Sequence, residues 1–168
     1  MEAAWGGAGV TAFGQRLSDA SNRFYNRMRH RAAFEAAGQQ GTAADFEALR
    51  GRKYCLLVTF RADGWPVPTP VWFGLGDGRV YVRTEAGTAK VKRIRRDPHV
   101  RVGPCDPRGK PKGPLAEGTG RVLPAGEEER AEQALRANYG LGRRLYEGTL
   151  GGLVDVVYLE ISPSQGAP

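Results

Sequence analysis

Lys53-Tyr-Cys-Leu-Leu-Val-Thr-Phe-Arg61 is the stretch on which the fold turns. Cys55, Leu57 and Thr59 alternate with Leu56, Val58 and Phe60, and both sets are nearly all apolar. A strand that is apolar on both faces is covered on both. The pattern therefore predicts a central strand with a layer of structure on either side. Ala62-Asp63-Gly64 follows as a hairpin turn signal. Pro66 to Leu75 reads as the next strand, Gly76-Asp77-Gly78 as a second turn, and Arg79 to Thr84 as a third strand. In that third strand Val80 and Val82 oppose Tyr81 and Arg83. Three strands joined by tight turns predict an antiparallel meander, the start of a sandwich or barrel.

Further along, Thr88 to Arg96 reads as a helix with a narrow apolar stripe of Val91 and Ile94, ended by Asp97-Pro98. His99 to Val102 is a strand, Asp106 to Gly113 a loop, and Ala116 to Leu123 another strand. Glu127 to Tyr139 is a helix with acidic residues where its dipole favours them. Val154 to Ile161 is the last strand. Toward the N-terminus, Ser18 to Ala37 reads as a helix with Phe24, Met28 and Ala32 at helical spacing, broken by Gly38 to Gly41. Thr42 starts a short helix, with Asp45 in a variant of the capping box and Phe46 and Leu49 as its apolar face. Three regions result: an N-terminal tail and helix over residues 1–41, a β domain over 42–163, and a tail over 164–168.

The chain has 168 residues, one domain of ordinary size. At that length roughly 70% of the unfolded surface can be buried, so a core needs neither disulfide nor metal. The composition, 40% hydrophobic and 26% charged, is that of a soluble globular protein. No apolar run approaches the roughly 18 residues of a membrane helix. The first twenty residues have no basic n-region and no compact apolar h-region, so the expectation is a cytoplasmic protein without a membrane partner. With two cysteines and two histidines, no zinc cluster assembles and no metal is expected. Cys55 reads as a small core residue and Cys105 as part of a polar loop. His30 reads as a solvated side chain in the helical run Asn26-Arg-Met-Arg-His-Arg31, and His99 as the first residue of a strand. No nucleophile elbow and no Walker or dinucleotide fingerprint is present. If the protein is an enzyme, a cofactor carries its chemistry.

The net charge of +7 is concentrated. Lys90, Lys92, Arg93, Arg95, Arg96, Arg101, Arg108, Lys110 and Lys112 face only Asp97 and Asp106 within one segment, and the rest of the chain balances. Such a concentration argues for a defined anion site. Nucleic acid is not the expected anion, because the segment lacks aromatics for base stacking and no recognition module is present.

Two features carry chemistry. In Pro66-Val-Pro-Thr-Pro-Val-Trp72, prolines at every second position remove the N–H donors from one strand edge. That edge either protects the sheet against aggregation or leaves a slot for a flat ring. In Thr84-Glu-Ala-Gly-Thr-Ala-Lys-Val-Lys92, a strand ends, Gly87 permits a turn, and a helix opens at Thr88. The open N–H groups of a helix start attract anions. Thr88 adds a hydroxyl there and Lys90 a charge. A phosphate would find several donors at once.

These stretches, with Val80-Tyr-Val-Arg-Thr84, Gly87-Thr-Ala-Lys-Val-Lys-Arg-Ile-Arg-Arg-Asp-Pro98, Ala134-Leu-Arg-Ala-Asn-Tyr-Gly140 and Val157-Tyr-Leu-Glu-Ile161, resemble one superfamily. It is that of the flavin/deazaflavin oxidoreductases, with a pyridoxamine 5'-phosphate oxidase-like split β-barrel. The branch most similar is the one dependent on coenzyme F420, an 8-hydroxy-5-deazaflavin. The resemblance covers roughly residues 45–162 and implies a mainly β, antiparallel split barrel with flanking helices. It implies a cofactor phosphate at Thr88 and Lys90, and a ring system along Thr69, Pro70, Val71 and Trp72 beside Arg83 and Thr84. Lys92 and Arg93 would meet the acidic tail of F420. The oxidases place an arginine where this chain has Ala89, which favours F420 over FMN. The implied activity is hydride transfer from reduced deazaflavin to an electron-poor small-molecule substrate, with no side chain acting as nucleophile or base. Homodimers with cofactor sites at the subunit interface are implied as well. The alternatives are an FMN-dependent reductase or oxidase on the same fold, and a carrier that binds flavin or deazaflavin without turnover.

Overall fold

The computed structural model describes residues 29–140 and 155–164. The decisive stretch forms β1 (Tyr54–Phe60), in which every residue after Tyr54 is buried. Its two faces enter two different cores. Cys55 and Leu57 join the barrel interior, with Val80, Val82, Val100, Val102, Leu159 and Ile161. Leu56, Val58 and Phe60 meet Ala33 and Ala37 of helix α1 (Arg31–Ala37) on the outside. The double covering expected of this strand is present.

Gly64, at φ +79°, turns the chain into β2 (Pro66–Trp72), which pairs antiparallel with β1 from Phe60↔Pro66 to Tyr54↔Trp72. Here the expected strand Pro66 to Leu75 breaks. Phe73 leaves the sheet, and the short β3 (Gly74–Gly76) pairs instead with β4 (Arg79–Glu85). Helix α2 (Ala89–Arg96), β5 (His99–Cys105), β6 (Ala116–Val122), helix α3 (Glu128–Tyr139) and β7 (Val156–Pro163) follow. The described strands form one antiparallel sheet in the order β2-β1-β5-β6-β7-β4-β3, curled into a split barrel. The expected meander is therefore corrected. β2 and β3 are neighbours in sequence but occupy opposite edges of the sheet.

The reason lies at the end of α3. The Phe73 N–H donates to the Tyr139 hydroxyl at 2.9 Å, and the Phe73 carbonyl accepts from Asn138 Nδ2 at 2.8 Å. Both backbone groups that would continue the ladder are taken by side chains, so the strand stops there. Tyr139 in turn donates to the Lys53 carbonyl, tying the start of β1 to the same knot. Phe73 is buried. Tyr139→Phe should therefore leave a buried N–H unsatisfied and destabilise the fold by about 1–3 kcal/mol. Urea unfolding measures it, and a loss below about 0.5 kcal/mol, the range of a neutral surface change, would refute this account.

The outer face of β4 and β7 is covered by α3, with Tyr81, Leu123, Ala131 and Ala134 buried together. Beside them Glu160 is buried but fully engaged. Arg121 Nε reaches it at 2.9 Å, Arg79 Nη1 at 3.3 Å and the Tyr81 hydroxyl at 3.2 Å. Burial alone would raise this carboxyl, but its bond to Arg121 and the charges of Arg121 and Arg79 outweigh that and hold it below the usual range.

Several local expectations change. The helix expected over Ser18 to Ala37 begins, among the described residues, at Arg31, and Phe24 and Met28 lie outside them. Ala33 and Ala37, not Ala32, are its buried face. His30 is not a solvated helical residue but the N-cap, its Nδ1 accepting from the Ala32 N–H at 3.1 Å. Thr42 opens no helix. Ala43 bridges to Ala116, and only a single 3-10 turn, Glu47–Leu49, forms, because Ala116 draws this segment into an extended path. Phe46 and Leu49 are still buried. Cys105 is not in a loop. It ends β5 and is buried, which pushes its thiol up to about 12. Cys55 is buried in the core as expected.

Candidate functional site

β2 ends one side of the sheet and β1 is its partner. Pro66, Pro68 and Pro70 stand opposite Phe60, Val58 and Leu56. A proline fits an antiparallel pair only where no N–H is needed, so the prolines set the donor-poor edge of β2 outward. On the far side of the curl, β3 pairs only with Arg79 to Tyr81, and Val82 to Glu85 of β4 extend beyond it. β2 and β4 also come into contact with each other. Thr69, Pro70, Val71 and Trp72 lie on β2, and Arg83 and Thr84 on the part of β4 that extends beyond β3.

Their side chains divide between the two faces of the sheet. Thr69 and Val71 lie on the Leu57 and Cys55 side, toward the interior. Pro70 and Trp72 lie on the outer side, where Trp72 stacks on Tyr139 with ring centroids 4.8 Å apart and planes 12° from parallel. Thr84 pairs with Val157, which packs on the interior core, and Arg83 pairs with Tyr158, on the α3 side. Arg83 is hydrogen-bonded to Tyr158, whose hydroxyl donates to Glu132.

The second part of the site is the start of α2, directly after β4. Thr88 is buried at the N-cap position, but its hydroxyl donates to the Glu85 carbonyl at 3.0 Å and caps nothing. The first-turn N–H groups of Ala89, Lys90 and Val91 are thus left without a side-chain cap. Lys90 is half-buried, not exposed as a first-turn lysine would be expected to be. Burial pushes its ammonium down to about 8, with Glu85 opposing the shift and the charges of Arg93 and Arg29 adding to it. Arg93 donates from Nε to the buried Thr59 hydroxyl at 2.7 Å, and burial lowers it too.

The remaining basic residues do not converge here. Arg96 bonds the Phe60 carbonyl, and Arg101 is held by Glu117 at 2.8 Å and the Ala37 carbonyl at 2.9 Å. Lys92, Arg95, Arg108, Lys110 and Lys112 are exposed. The excess charge of the segment is therefore spread over the surface, and Lys90 and Arg93 are its members at the site. His99 stacks on Phe60 and meets Glu117 at 2.6 Å. A separate cleft of about 320 Å³, lined by Phe34, Phe60, Trp65 and Arg101, includes none of the predicted site residues. Among the described residues no three His, Cys, Asp or Glu side chains come together to hold a metal, and no helix is long and apolar enough to cross a membrane.

Residues 42–165 match the family model of pyridoxamine 5'-phosphate oxidase. The chain belongs to that family. The split barrel described above spans these matched residues. Among solved structures, an FAD-binding protein from Mesorhizobium loti is 20% identical, with 71% of this chain and 86% of that one covered and a TM-score of 0.53. The heme storage protein HutZ from Vibrio cholerae is 19% identical over 68% of this chain and 84% of that one, with a TM-score of 0.51. An F420 reductase is 22% identical over 73% and 96%, with a TM-score of 0.47. These likenesses are to the fold. No curated protein matches the chain.

Tyr139, Asn138 and Arg29 were not singled out as site residues by the sequence. Asn138 and Tyr139 fall in a stretch that resembles the family but carry no signal of their role there, and Arg29 lies before the region that resembles the family.

Proposed function

We propose that this family member is a cytoplasmic F420-dependent oxidoreductase, working as a homodimer on an electron-poor small molecule. The observation that carries the reading is the seat at the start of α2. There Lys90 lies half-buried among cations with uncapped N–H groups beside it. A cation held below its ordinary pKa by burial and like charge gains most from an anion, so the residues present fit a phosphate-bearing cofactor. More positive charge gathers at this seat than one phosphodiester neutralises, which suits a ligand with further carboxylates. Ala89 leaves room where an arginine side chain would stand.

When bound, the deazaflavin supplies a hydride at its C5. The chain does the rest by position. Lys90, Arg93 and the first-turn amides hold the phosphate end. The facing edges of β2 and β4 accept the ring without competing for it, since prolines leave the β2 edge poor in donors. Tyr139 fixes the plane of Trp72 beside this slot. Orientation in a dry slot is the catalytic contribution the protein makes.

Equilibrium titration of the purified protein with F420 and with FMN, read by fluorescence, tests the reading. F420 should bind more tightly, and FMN binding alone would overturn it. The pH dependence carries a sign. Between about 8 and 10.5 the unfolded chain keeps the Lys90 proton that the folded protein has lost, so this group adds stability as pH rises through that window. A bound phosphate favours the charged ammonium and reverses this. Affinity for F420 should therefore fall on going from pH 7 to pH 9.5. Affinity that stayed level would remove Lys90 from the seat.

A further inference from the structure

Phe34 and Trp65 are the two exposed large hydrophobic side chains among the described residues, at 44% and 63%. Both border one cleft of about 320 Å³, between α1 and the turn that joins β1 to β2. Single exposed aromatics are ordinary on a surface, but two that share a concave site mark a place for a ligand. Neither wall is loose. The Trp65 N–H donates to Asp63 Oδ1 at 3.1 Å, and its carbonyl accepts from the Arg61 N–H at 3.0 Å. Phe34 stands on α1, whose Ala33 and Ala37 are buried against β1. Phe60 and Arg101 also line the cleft. The Phe60 ring is held by His99, stacked at 4.7 Å, and by the Arg101 guanidinium, 5.1 Å from the ring centroid.

Arg101 is the charged side chain of the lining, and it is only 14% exposed. Its Nε bonds Glu117 at 2.8 Å and its Nη1 the Ala37 carbonyl at 2.9 Å, while Nη2 makes no hydrogen bond among the described residues. Glu117 is itself taken up, by the Gly41 N–H at 2.7 Å and His99 at 2.6 Å. Three aromatic rings suit a cation, but the guanidinium already placed over Phe60 repels one. The lining offers flat apolar surface and a planar donor fork, the complement of an aromatic ring that bears a carboxylate. The volume lies at the small end of ligand sites, which suits one or two fused rings.

We propose that this cleft binds a flat aromatic carboxylate of one or two rings, with its ring against Trp65 and Phe34 and its carboxylate on Arg101. The site is separate from the seat at Lys90 and does not rest on the cofactor reading. Calorimetry of the full chain with three probes of equal width tests it: 2-naphthoate, the neutral 2-naphthamide and the cationic 2-naphthylmethylamine. Naphthoate should bind one per chain, naphthamide roughly tenfold more weakly, and the amine not at all. Trp65→Ala should weaken naphthoate and naphthamide alike, by roughly tenfold, without lowering Tm, since the residue is exposed. Arg101→Gln should instead remove the preference for naphthoate over naphthamide. That ratio is readable at reduced stability, and if this variant does not fold, the three probes on the parent protein still decide the charge requirement. Equal binding of all three probes would describe an unselective apolar patch and overturn the proposal. Unchanged naphthoate affinity in Trp65→Ala would overturn it too. Trp65→Ala that dissociates an oligomer, in a protein that does not bind naphthoate, would assign the face to a second copy and overturn it. F420 binding should be equal in the parent and Trp65→Ala, so the cofactor reading stands or falls on its own titration. Loss of F420 binding in Trp65→Ala would overturn the cleft as a separate site.

Discussion

Lys90→Ala should weaken F420 binding by roughly tenfold to a hundredfold, the cost of about 1.5–3 kcal/mol expected when a charged hydrogen-bond partner is removed. Lys90 is the residue of the basic segment that combines the first turn of α2 with burial. The fold should survive the change. The lysine is held below its ordinary pKa, which means the folded protein bears a cost for its charge, and alanine relieves that cost. Lys110→Ala, in an exposed loop, is the control and should have far less effect. Equal losses for the two variants would describe a diffuse basic surface and would refute the seat at Thr88 and Lys90. The comparison has force because most of the nine basic residues are exposed or bonded elsewhere, so a site-specific loss cannot be a generic charge effect.

Gly74→Ala should also destabilise the fold substantially. A Cβ at Gly74 would lie 2.4 Å from the Ala134 carbonyl carbon and 2.5 Å from the Leu135 nitrogen. Both are backbone atoms of α3, so no side chain can swing aside. β3 and α3 would have to separate, and overpacking of this kind costs about 1–3 kcal/mol. At 168 residues that lowers Tm by on the order of 5 °C. Gly38→Ala is the matched control. Its new methyl would meet its nearest neighbour, the Glu35 carbonyl oxygen, at an ordinary 3.5 Å. A thermal scan that found the two variants equally stable would mean that α3 does not rest on β3 as described. The position also bears on function, because α3 carries the Tyr139 and Asn138 side chains that end β2 and hold Trp72.

What the chain reveals unaided is local. The two-sided apolar alternation of Cys55 to Phe60 required a covered central strand, and burial follows it residue by residue. The alternating prolines required an edge, and β2 lies at one. Gly64 and the Asp77-Gly78 pair adopt the positive φ that their turns need. The turn, hydroxyl and lysine around the start of α2, where we propose an anion seat, are legible because they are contiguous in sequence. The resemblance of the assembled stretches to the flavin/deazaflavin oxidoreductases is matched by family membership and by the split barrel.

What only tertiary structure decided was which of these pieces meet. Nothing local marks Phe73 as the point where a strand divides between two sheet edges. That division depends on Tyr139 and Asn138, more than sixty residues later in the chain, taking its N–H and carbonyl. Likewise Lys90, read alone, is a solvated first-turn lysine. Its burial, and its company of Arg93 and Arg29, come from packing α2 against β1 and from a segment ahead of the barrel. Periodicity records which face of an element is apolar, because that is a property of neighbours in sequence. The partner that covers the face, and the charge environment this creates, arise from contacts between distant residues that no local pattern encodes.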